Sequence, residues 1–423
     1  MPVDDRFSKD FRRQDRDRFY AARSEVITGP VSDWATDFSH LDLEWIADPY
    51  SIMDSLRQEC PIAHTERFGG AWLPTLHEDI AAIAYDTEHF SSRSVAVSDG
   101  RSPRELAPVG ETPPITSDPP FHHAARKLLL PAFTKTAVAR LEPGTRAFCH
   151  SIIDGFGERD VVDAARDYAN QIPSRVIGDM LGLPPEDRQQ FRELVNNLRG
   201  SDRPPARPLA ERVGKLFIYL LAEVNEHVEH PREDLITYLI NAELHGRKLD
   251  PKHVIGTIIL LLTAGVSTAH SAIGVSLWHL AGNPRDRDRL VAEPGLLPTA
   301  TEEFLRAYAP VSVGRLVKED MHWRGVDMKA EDWVLLSFPA ANRDPAQFDR
   351  ADEVMIDREV NPHAAFGLGI HRCLGSHLAR MEIRVALEVW LERIPAFTLM
   401  NPSAVTWSGD QVRGPQTLPL RIR

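Results

Sequence analysis

The chain is poor in cysteine, with only Cys60, Cys149 and Cys373 in 423 residues. These three lie far apart and form no CxxC pair, so the sequence indicates neither a disulfide framework nor a zinc site. Such usage is typical of a reducing compartment, and we expect a cytoplasmic protein.

The chain also lacks an excess of positive charge. It has 49 Lys and Arg against 61 Asp and Glu, and its net charge of -12 argues against a dedicated nucleic-acid binder. Residues 1–25 are charged and have no apolar core of the kind found in a signal peptide or membrane anchor. We therefore expect a loosely ordered tail over 1–25, a single domain over 26–423, and no association with nucleic acid or membrane.

One segment, Val254 to Gly282, contains no Asp, Glu, Lys or Arg. Its length is sufficient to cross a bilayer. However, Thr, Ser and His residues interrupt it, and charge-rich amphipathic sequence continues on both sides. Pro251 before it and the GNP sequence at 282–284 after it are typical helix boundaries. The segment therefore predicts one long helix buried in the core.

Elsewhere the sequence has mostly helical periodicity. It predicts helices over 134–157, 187–199, 208–230, 299–308 and 376–393. Short β-like runs occur at GAWLPT, VGRLVKED, DWVLLS and QTLPLRIR. We predict a mainly α protein with a minor β-sheet region.

The segment AAFGLGIHRCLGSHLAR, residues 364–380, surrounds one cysteine with three glycines. Gly367, Gly369 and Gly375 permit backbone turns that other residues avoid, and they allow a flat ligand to approach closely. A helix that starts near Gly375 would direct its free N–H groups at the Cys373 sulfur and favour the thiolate. A lone cysteine is more often a small buried hydrophobe. That alternative leaves the glycines unexplained.

This segment resembles the haem-binding signature of the cytochrome P-450 family. The resemblance implies a P-450 fold in which heme b, iron protoporphyrin IX, lies between the long central helix and the cysteine-ligand loop. It makes Cys373 the iron ligand. It also assigns cofactor contacts to Phe366, Gly367 and Gly375.

Further motifs match the family in the same order along the chain. His122 and Arg126 in DPPFHHAARK match its haem-propionate ligands, and Arg315 and His371 match additional propionate contacts. Two cations and two histidines suit two carboxylates. Each of these residues alone is commonly a solvated or core side chain.

The TEEFLR sequence places Glu303 and Arg306 three residues apart on one helical face. Such a pair is most often an exposed ion pair of little energetic value. In the family the pair is buried and is joined by a downstream arginine, which here corresponds to Arg358.

The centre of the long helix, TAGVSTA, resembles the oxygen-activating segment of the family. Ala264 and Gly265 match the pair that leaves room for dioxygen, and Thr268 matches its catalytic threonine. Most members carry Asp or Glu immediately before that threonine, whereas this chain has Ser267. Because serine does not ionise near neutral pH, the route of proton delivery is open.

The resemblance implies a monooxygenase that performs hydroxylation or oxidative demethylation. The chain has no dinucleotide fingerprint and no ferredoxin-type cysteine set. Electrons would therefore come from another protein, and the resemblance implies a ferredoxin or flavodoxin with an NAD(P)H reductase. The alternatives are a hydrogen-peroxide-dependent peroxygenase and a non-catalytic haem protein that binds small ligands.

The substrate pocket is expected to be mostly apolar and to suit a small or medium hydrophobic molecule. By analogy with the family it includes Leu260, Thr263, Val311, Val313 and Val412. Another possibility is a carboxylate substrate held by three loop arginines, Arg93, Arg101 and Arg104. We expect a monomer.

Overall fold

The computed structural model describes residues 29–187, 189–191, 193–194, 209–249, 251–409 and 411–423. The tail expected over 1–25 lies outside the described residues, as does much of the helix expected over 187–199. The domain boundary at residue 26 stays a prediction.

Helices account for most of the regular structure, which confirms the predicted class. In chain order the α-helices are α1 Leu43–Ala47, α2 Pro49–Glu59, α3 His77–Tyr85, α4 Phe121–Leu129, α5 Lys135–Ala139, α6 Glu142–Asp154, α7 Gln171–Met180, α8 Leu209–Glu229, α9 Leu235–Asn241, α10 Pro251–Gly282, α11 Pro284–Ala292, α12 Leu297–Ala307, α13 Phe338–Ala341 and α14 Ser376–Arg393. A π-helical turn, Ala164–Ala169, precedes α7.

The strands are short. They are β1 Ile62–Thr65, β2 Ala71–Pro74, β3 Phe90–Ser91, β4 Val161–Asp163, β5 Glu243–Leu244, β6 Arg247–Lys248, β7 Ser312–Val317, β8 Met321–Trp323, β9 Val326–Met328, β10 Trp333–Ser337, β11 Thr398–Leu399, β12 Thr406–Trp407, β13 Pro415–Thr417 and β14 Pro419–Arg421. The largest sheet has the order β1-β2-β10-β7-β3, and a second sheet has the order β11-β14-β4.

The uncharged segment forms the central helix α10, as predicted. It packs against α7, the π-helical turn and α14, and residues from all of these elements belong to one large hydrophobic core. A second core lies between the five-stranded sheet and helices α1 to α3. Because α10 is surrounded by protein, its apolar composition reflects burial within the fold.

The helix predicted over 134–157 is instead two helices, α5 and α6. Pro143 lies in the first turn of α6, where its missing N–H leaves no helical bond unmade. A continuous helix through this position would lose the bond that the proline cannot donate, which explains the break.

Candidate functional site

A cavity of about 250 Å³ lies between α10 and the loop that contains Cys373. Ala264, Gly265 and Thr268 of α10 line one side, and Phe366 and Cys373 line another. The walls are mainly apolar, with a few charged or titratable groups. Two segments almost 100 residues apart in the sequence thus meet at one site.

The conformation of the loop that contains Cys373 is set by its own backbone. The Cys373 N–H donates to the carbonyl of Phe366 at 2.7 Å. Gly367 and Gly369 have φ of +70° and +67°, and a Cβ on Gly369 would collide with the carbonyl oxygen of Ala84. These two glycines are therefore required by conformation. Gly375 is not, since its φ of -81° is open to any residue.

The Cys373 sulfur lines the cavity. Burial raises the pKa of the Cys373 thiol, while the Gly375 N–H and the guanidinium groups of Arg126, Arg372 and Arg380 act to lower it. The N–H at the helix start therefore favours the thiolate, as expected, while desolvation of the free thiol acts in the opposite direction and is the larger effect. A coordinated metal ion would deprotonate the thiol directly.

A second group of polar side chains lines the same cavity: His122, Arg126, Arg315 and His371. The two imidazole rings are 4.2 Å apart. Both ring nitrogens of His122 and Nε2 of His371 have no hydrogen-bond partner among the described residues. The Arg315 guanidinium donates to the carbonyl of Gly314 at 2.9 Å, and Arg126 donates to that of Arg372 at 2.6 Å.

Burial dominates the electrostatics of this cluster. Desolvation, aided by neighbouring positive groups, lowers the pKa of His122 to about 4 and that of His371 to about 2. Burial also lowers the pKa of Arg315 to about 10. Desolvation therefore keeps both imidazoles neutral at neutral pH, and the opposing effect of Asp118 on His122 and Arg315 is smaller.

The cluster fits the carboxylates of a haem. Buried donors normally have partners, yet within the described part of the chain none of these four side chains forms an ion pair. Two guanidinium groups and two imidazoles beside an apolar cavity, with a thiol on the wall, suit a flat apolar group that carries two carboxylates and a metal.

Glu303, Arg306 and Arg358 form one buried network. Arg306 Nη2 and Nε lie 2.8 Å from the two Glu303 oxygens, and Arg358 Nε lies 3.0 Å from Oε2. Arg306 also donates to three main-chain carbonyls, those of Asn342, Ala351 and Glu353. The network thus ties α12 to the segment over 342–358 that leads into the cysteine loop.

On α10 the Thr268 hydroxyl donates to the carbonyl of Ala264 at 2.7 Å and faces the cavity. Gly265 packs against α7, where a Cβ would lie 3.0 Å from Ile177 Cδ1. The missing side chain therefore permits close helix packing as well as space at the cavity wall. Ser267 does not line the cavity.

Of the five residues expected in the substrate pocket, Leu260, Val311 and Val313 line the cavity. Val412 does not line the cavity; it forms a β-bridge with Val311. Thr263 also lies off the lining, and its hydroxyl donates to the carbonyl of Ile259. The loop over 94–116 adds further apolar side chains to the cavity lining. They are Val95, Pro114 and Ile115.

The three loop arginines do not form a carboxylate clamp for a substrate. Arg93 Nη2 and Arg104 Nε lie 2.6 and 2.8 Å from the Glu331 carboxylate, and Arg101 Nε donates to the Glu331 carbonyl at 2.7 Å. None of the three lines the cavity. They contact Glu331 instead and so connect the loop to the turn before β10.

Sequence reasoning missed Glu382, which lines the cavity from α14. It is 1 % exposed, and its Oε1 atom has no hydrogen-bond partner in the described residues. Burial raises the pKa of Glu382 to about 8. The available signal was an acidic residue between two apolar ones, Met381 and Ile383, in a predicted helix.

Comparison with known proteins agrees with this geometry. The family model described as cytochrome P-450 matches residues 209–399. Mycinamicin IV hydroxylase/epoxidase of Micromonospora griseorubida is 34% identical over 357 residues, which cover 83% of this chain and 89% of that protein. Nocardicin C N-oxygenase of Nocardia uniformis is 34% identical over 359 residues, covering 82% and 89%. The solved structure of the bacillaene polyketide synthase cytochrome P-450 PksS from Bacillus subtilis 168 superposes with a TM-score of 0.83 at 28% identity, covering 91% of this chain and 99% of that one.

Proposed function

The chain belongs to the cytochrome P-450 family of heme b monooxygenases, and from that premise we propose that it inserts one oxygen atom from O₂ into a small or medium hydrophobic organic molecule. The apolar lining of the cavity, with Leu260, Val311 and Val313 on its wall, supports a hydrophobic substrate. Hydroxylation and oxidative demethylation are the reactions expected. The mycinamicin and nocardicin relatives act on their own named compounds, and the same type of chemistry is proposed here.

In this proposal Cys373 is the proximal iron ligand, and the glycine turns on its N-terminal side keep the sulfur exposed to the cavity. When bound, the haem would supply the iron chemistry that reduces O₂ with two electrons from a redox partner and two protons, giving water and the oxygen atom that enters the substrate. Phe366, Gly367 and Gly375 border the cofactor around the sulfur.

His122, Arg126, Arg315 and His371 hold the two propionates. The observation that supports this role most strongly is that buried ring nitrogens of His122 and His371 have no hydrogen-bond partner in the described residues and line the same cavity as the two arginines. Binding two carboxylates there replaces unsatisfied polar groups with charge-assisted hydrogen bonds. The Glu303, Arg306 and Arg358 network keeps the preceding segment in place.

Ala264 and Gly265 leave space in the cavity beside the cofactor. The Thr268 hydroxyl relays protons at the cavity wall. The Thr268 hydroxyl donates a hydrogen bond to the Ala264 carbonyl, so the lone pairs of its oxygen can accept a hydrogen bond from water in the cavity.

The test of the ligand assignment is the carbon monoxide difference spectrum of the reduced protein. Wild type should show the strongly red-shifted Soret band of thiolate ligation, and Cys373→His should lose it. Cys149→Ser is the matched control, because Cys149 is fully buried away from the cavity and should leave the band unchanged. Retention of the band by Cys373→His would refute the assignment.

Electrons are proposed to come from a separate ferredoxin or flavodoxin with its NAD(P)H reductase, as is general in the family. A cytoplasmic location and a monomeric state are compatible with these partners. Reconstitution with a ferredoxin and reductase, and substrate screening by the Soret shift of the oxidised protein, test both the partner and the substrate class.

The absence of an acid at Ser267 favours a second candidate, a peroxygenase that uses hydrogen peroxide. Thr268→Ala separates the two. A monooxygenase should divert reducing equivalents to hydrogen peroxide in this variant and lose product per NAD(P)H, whereas Ser267→Asp should keep or raise turnover. Undiminished coupling in Thr268→Ala would favour the peroxygenase.

A further inference from the structure

The two ends of the cysteine segment, residues 364–380, are joined by one carboxylate. Glu302 of α12 accepts two hydrogen bonds from Arg380, whose Nε and Nη2 atoms each lie 2.7 Å from a carboxylate oxygen. His363 Nε2 lies 3.1 Å from the same carboxylate. His363 immediately precedes the segment, and Arg380 is its last residue. None of these three residues lines the cavity.

The contacts of this cluster fix its charges. The main-chain N–H of Ala365 donates to Nδ1 of His363 at 3.2 Å, so the ring proton is on Nε2 and is donated to Glu302. Burial acts to raise the pKa of Glu302, but the hydrogen bonds from His363 and Arg380 lower it to about 2. The cluster therefore contains one anion, Glu302, and one cation, Arg380.

The guanidinium group of Arg380 lies against the Phe366 ring, with its Cζ atom 4.4 Å from the ring centroid. The His363 ring lies near the same phenyl group, with the centroids 5.9 Å apart. A cation over the face of an aromatic ring is attracted by the ring quadrupole. Because the pairing with Glu302 is bidentate, it also fixes the orientation of the guanidinium group. Glu302 therefore positions Arg380 on the ring.

Phe366 connects this charge to the cofactor site. It lines the cavity, and its carbonyl accepts the hydrogen bond from the Cys373 N–H. The positive charge of Arg380 also acts on the Cys373 sulfur, in the direction that favours the thiolate. The same charge favours negative charge added elsewhere at the site. Reduction of an iron bound there by one electron is such an addition.

We propose that the Glu302–Arg380 pair sets the reduction potential of the haem iron. Arg380 raises the potential, while Glu302 holds Arg380 in place and limits the rise. This inference rests on the proposed ligation of the iron by Cys373. The step concerned is the uptake of one electron by the oxidised iron from the redox partner, and no bond in the cluster is made or broken. Both side chains are positioning residues, since they act through Phe366.

The experiment is a redox titration of the holoprotein with mediator dyes. Arg380→Met keeps a long side chain over the Phe366 ring but removes the cation, so the potential should fall. Glu302→Gln keeps the shape and an acceptor oxygen but removes the anion, so the potential should rise. The two side chains are 30 % and 29 % exposed, and water screens their charges. We therefore expect each variant to change the equilibrium constant of reduction about tenfold, which is about 59 mV for one electron.

Shifts of opposite sign distinguish a role of charge from a structural role, because loss of packing would move both variants in the same direction. The double variant Glu302→Gln/Arg380→Met should return towards the wild-type potential. Unchanged potentials, or shifts of the same sign in the two single variants, would overturn the proposal. If Arg380→Met retains no haem, Glu302→Gln still decides, since a potential that stays or falls in this variant overturns it.

The matched controls are Arg393→Met and Asp154→Asn. Arg393 is the last residue of α14, and it forms an exposed ion pair with Asp154 of α6. Each control removes one charge of the same sign as the corresponding test variant, and both should keep the wild-type potential. Equal shifts in the controls would show that the potential follows the net charge of the protein, and would also overturn the proposal.

The carbon monoxide spectrum separates this proposal from the one on which it rests. A wild-type protein without the thiolate band would refute ligation by Cys373, whatever the potentials. If the band is present in wild type and in the variants, but the potentials do not move in opposite directions, only the role of Glu302 and Arg380 is refuted.

Discussion

The Glu303–Arg306 pair differs from most ion pairs of this molecule because both side chains are fully buried. Arg358 joins the pair as a second cation on the Glu303 carboxylate, and each guanidinium group also donates to main-chain carbonyls. Three buried charges are stable here because their hydrogen-bonding capacity is met. The same reasoning makes the network sensitive to the loss of any one member.

Removal of Glu303 should leave two buried guanidinium groups without their counter-charge, and removal of Arg306 should leave three main-chain carbonyls without their donor. We expect Glu303→Ala or Arg306→Ala to lower the free energy of unfolding by about 3 to 5 kcal/mol and to prevent haem retention. The measurement is denaturant unfolding together with the yield of haem-containing protein. Asp154→Ala breaks an exposed pair with Arg393 and should cost no more than about 1 kcal/mol. Normal holoprotein yield from either network variant would contradict the prediction.

Glu382 should also affect how stability depends on pH. Its pKa is raised by burial from 4.5 to about 8, so between these values the folded protein holds a proton that the unfolded chain has released. The free energy of unfolding should therefore fall as pH rises, by about 1.4 kcal/mol per pH unit from this group. Glu382→Gln should lack this contribution when wild type and variant are unfolded in denaturant from pH 5 to 8. Parallel curves for the two proteins would show that Glu382 does not titrate in this window.

At the scale of elements, the loop over 94–116 forms part of the cavity wall, and one of its attachments to the rest of the protein is a cluster of arginines around Glu331. Arg93, Arg101 and Arg104 all contact Glu331, which adopts a φ of +75° in the turn before β10. Val95 and Ile115 of the same loop line the cavity. The shape of the substrate site therefore depends on an ion-pair cluster outside it.

Glu331→Gln should weaken this attachment because the amide does not balance the guanidinium groups of Arg93 and Arg104, which contact the carboxylate. We expect faster amide hydrogen exchange within 94–116 and a several-fold weaker substrate-induced Soret shift, with the haem site itself unchanged. Asp327→Asn, which lies in the nearby β9 strand and pairs only with exposed His322, is the control. Equal exchange in the loop of Glu331→Gln and wild type would show that the loop is held by other contacts.

For the molecule as a whole, charge is unevenly distributed. The net charge is -12, yet Arg126, Arg372 and Arg380 all act electrostatically on Cys373, and Lys127 is exposed on the neighbouring helix α4. An acidic protein with a local basic surface beside the proposed iron ligand suits docking of an acidic electron-transfer partner.

Electron transfer from an acidic ferredoxin should consequently fall as salt is added, since the attraction between exposed charges is screened. Arg372→Glu and Lys127→Glu should slow reduction at low salt by about tenfold or more. The measurement is stopped-flow reduction under carbon monoxide. Lys248→Glu in the β5–β6 hairpin, away from the cavity wall, should leave the rate unchanged. Rates that are independent of salt would argue against a basic docking surface.

Local sequence determined much of this protein. The uncharged run predicted α10, and the glycine spacing around Cys373 predicted a turn whose conformation Gly367 and Gly369 require. These features are readable because helix periodicity and left-handed backbone conformations depend on neighbouring residues. The resemblance to the family, carried by the same short motifs, added the cofactor and the reaction.

Tertiary structure decided which side chains meet. Nothing in the sequence pairs Arg93, Arg101 and Arg104 with Glu331, which lies more than 200 residues away, and their positive charge suggested a substrate clamp instead. The protonation of Cys373 and Glu382 was likewise hidden, because desolvation depends on what the folded chain packs around a group. Sequence fixes the local conformation and the inventory of chemical groups, whereas long-range packing sets their neighbours, their burial and therefore their charge.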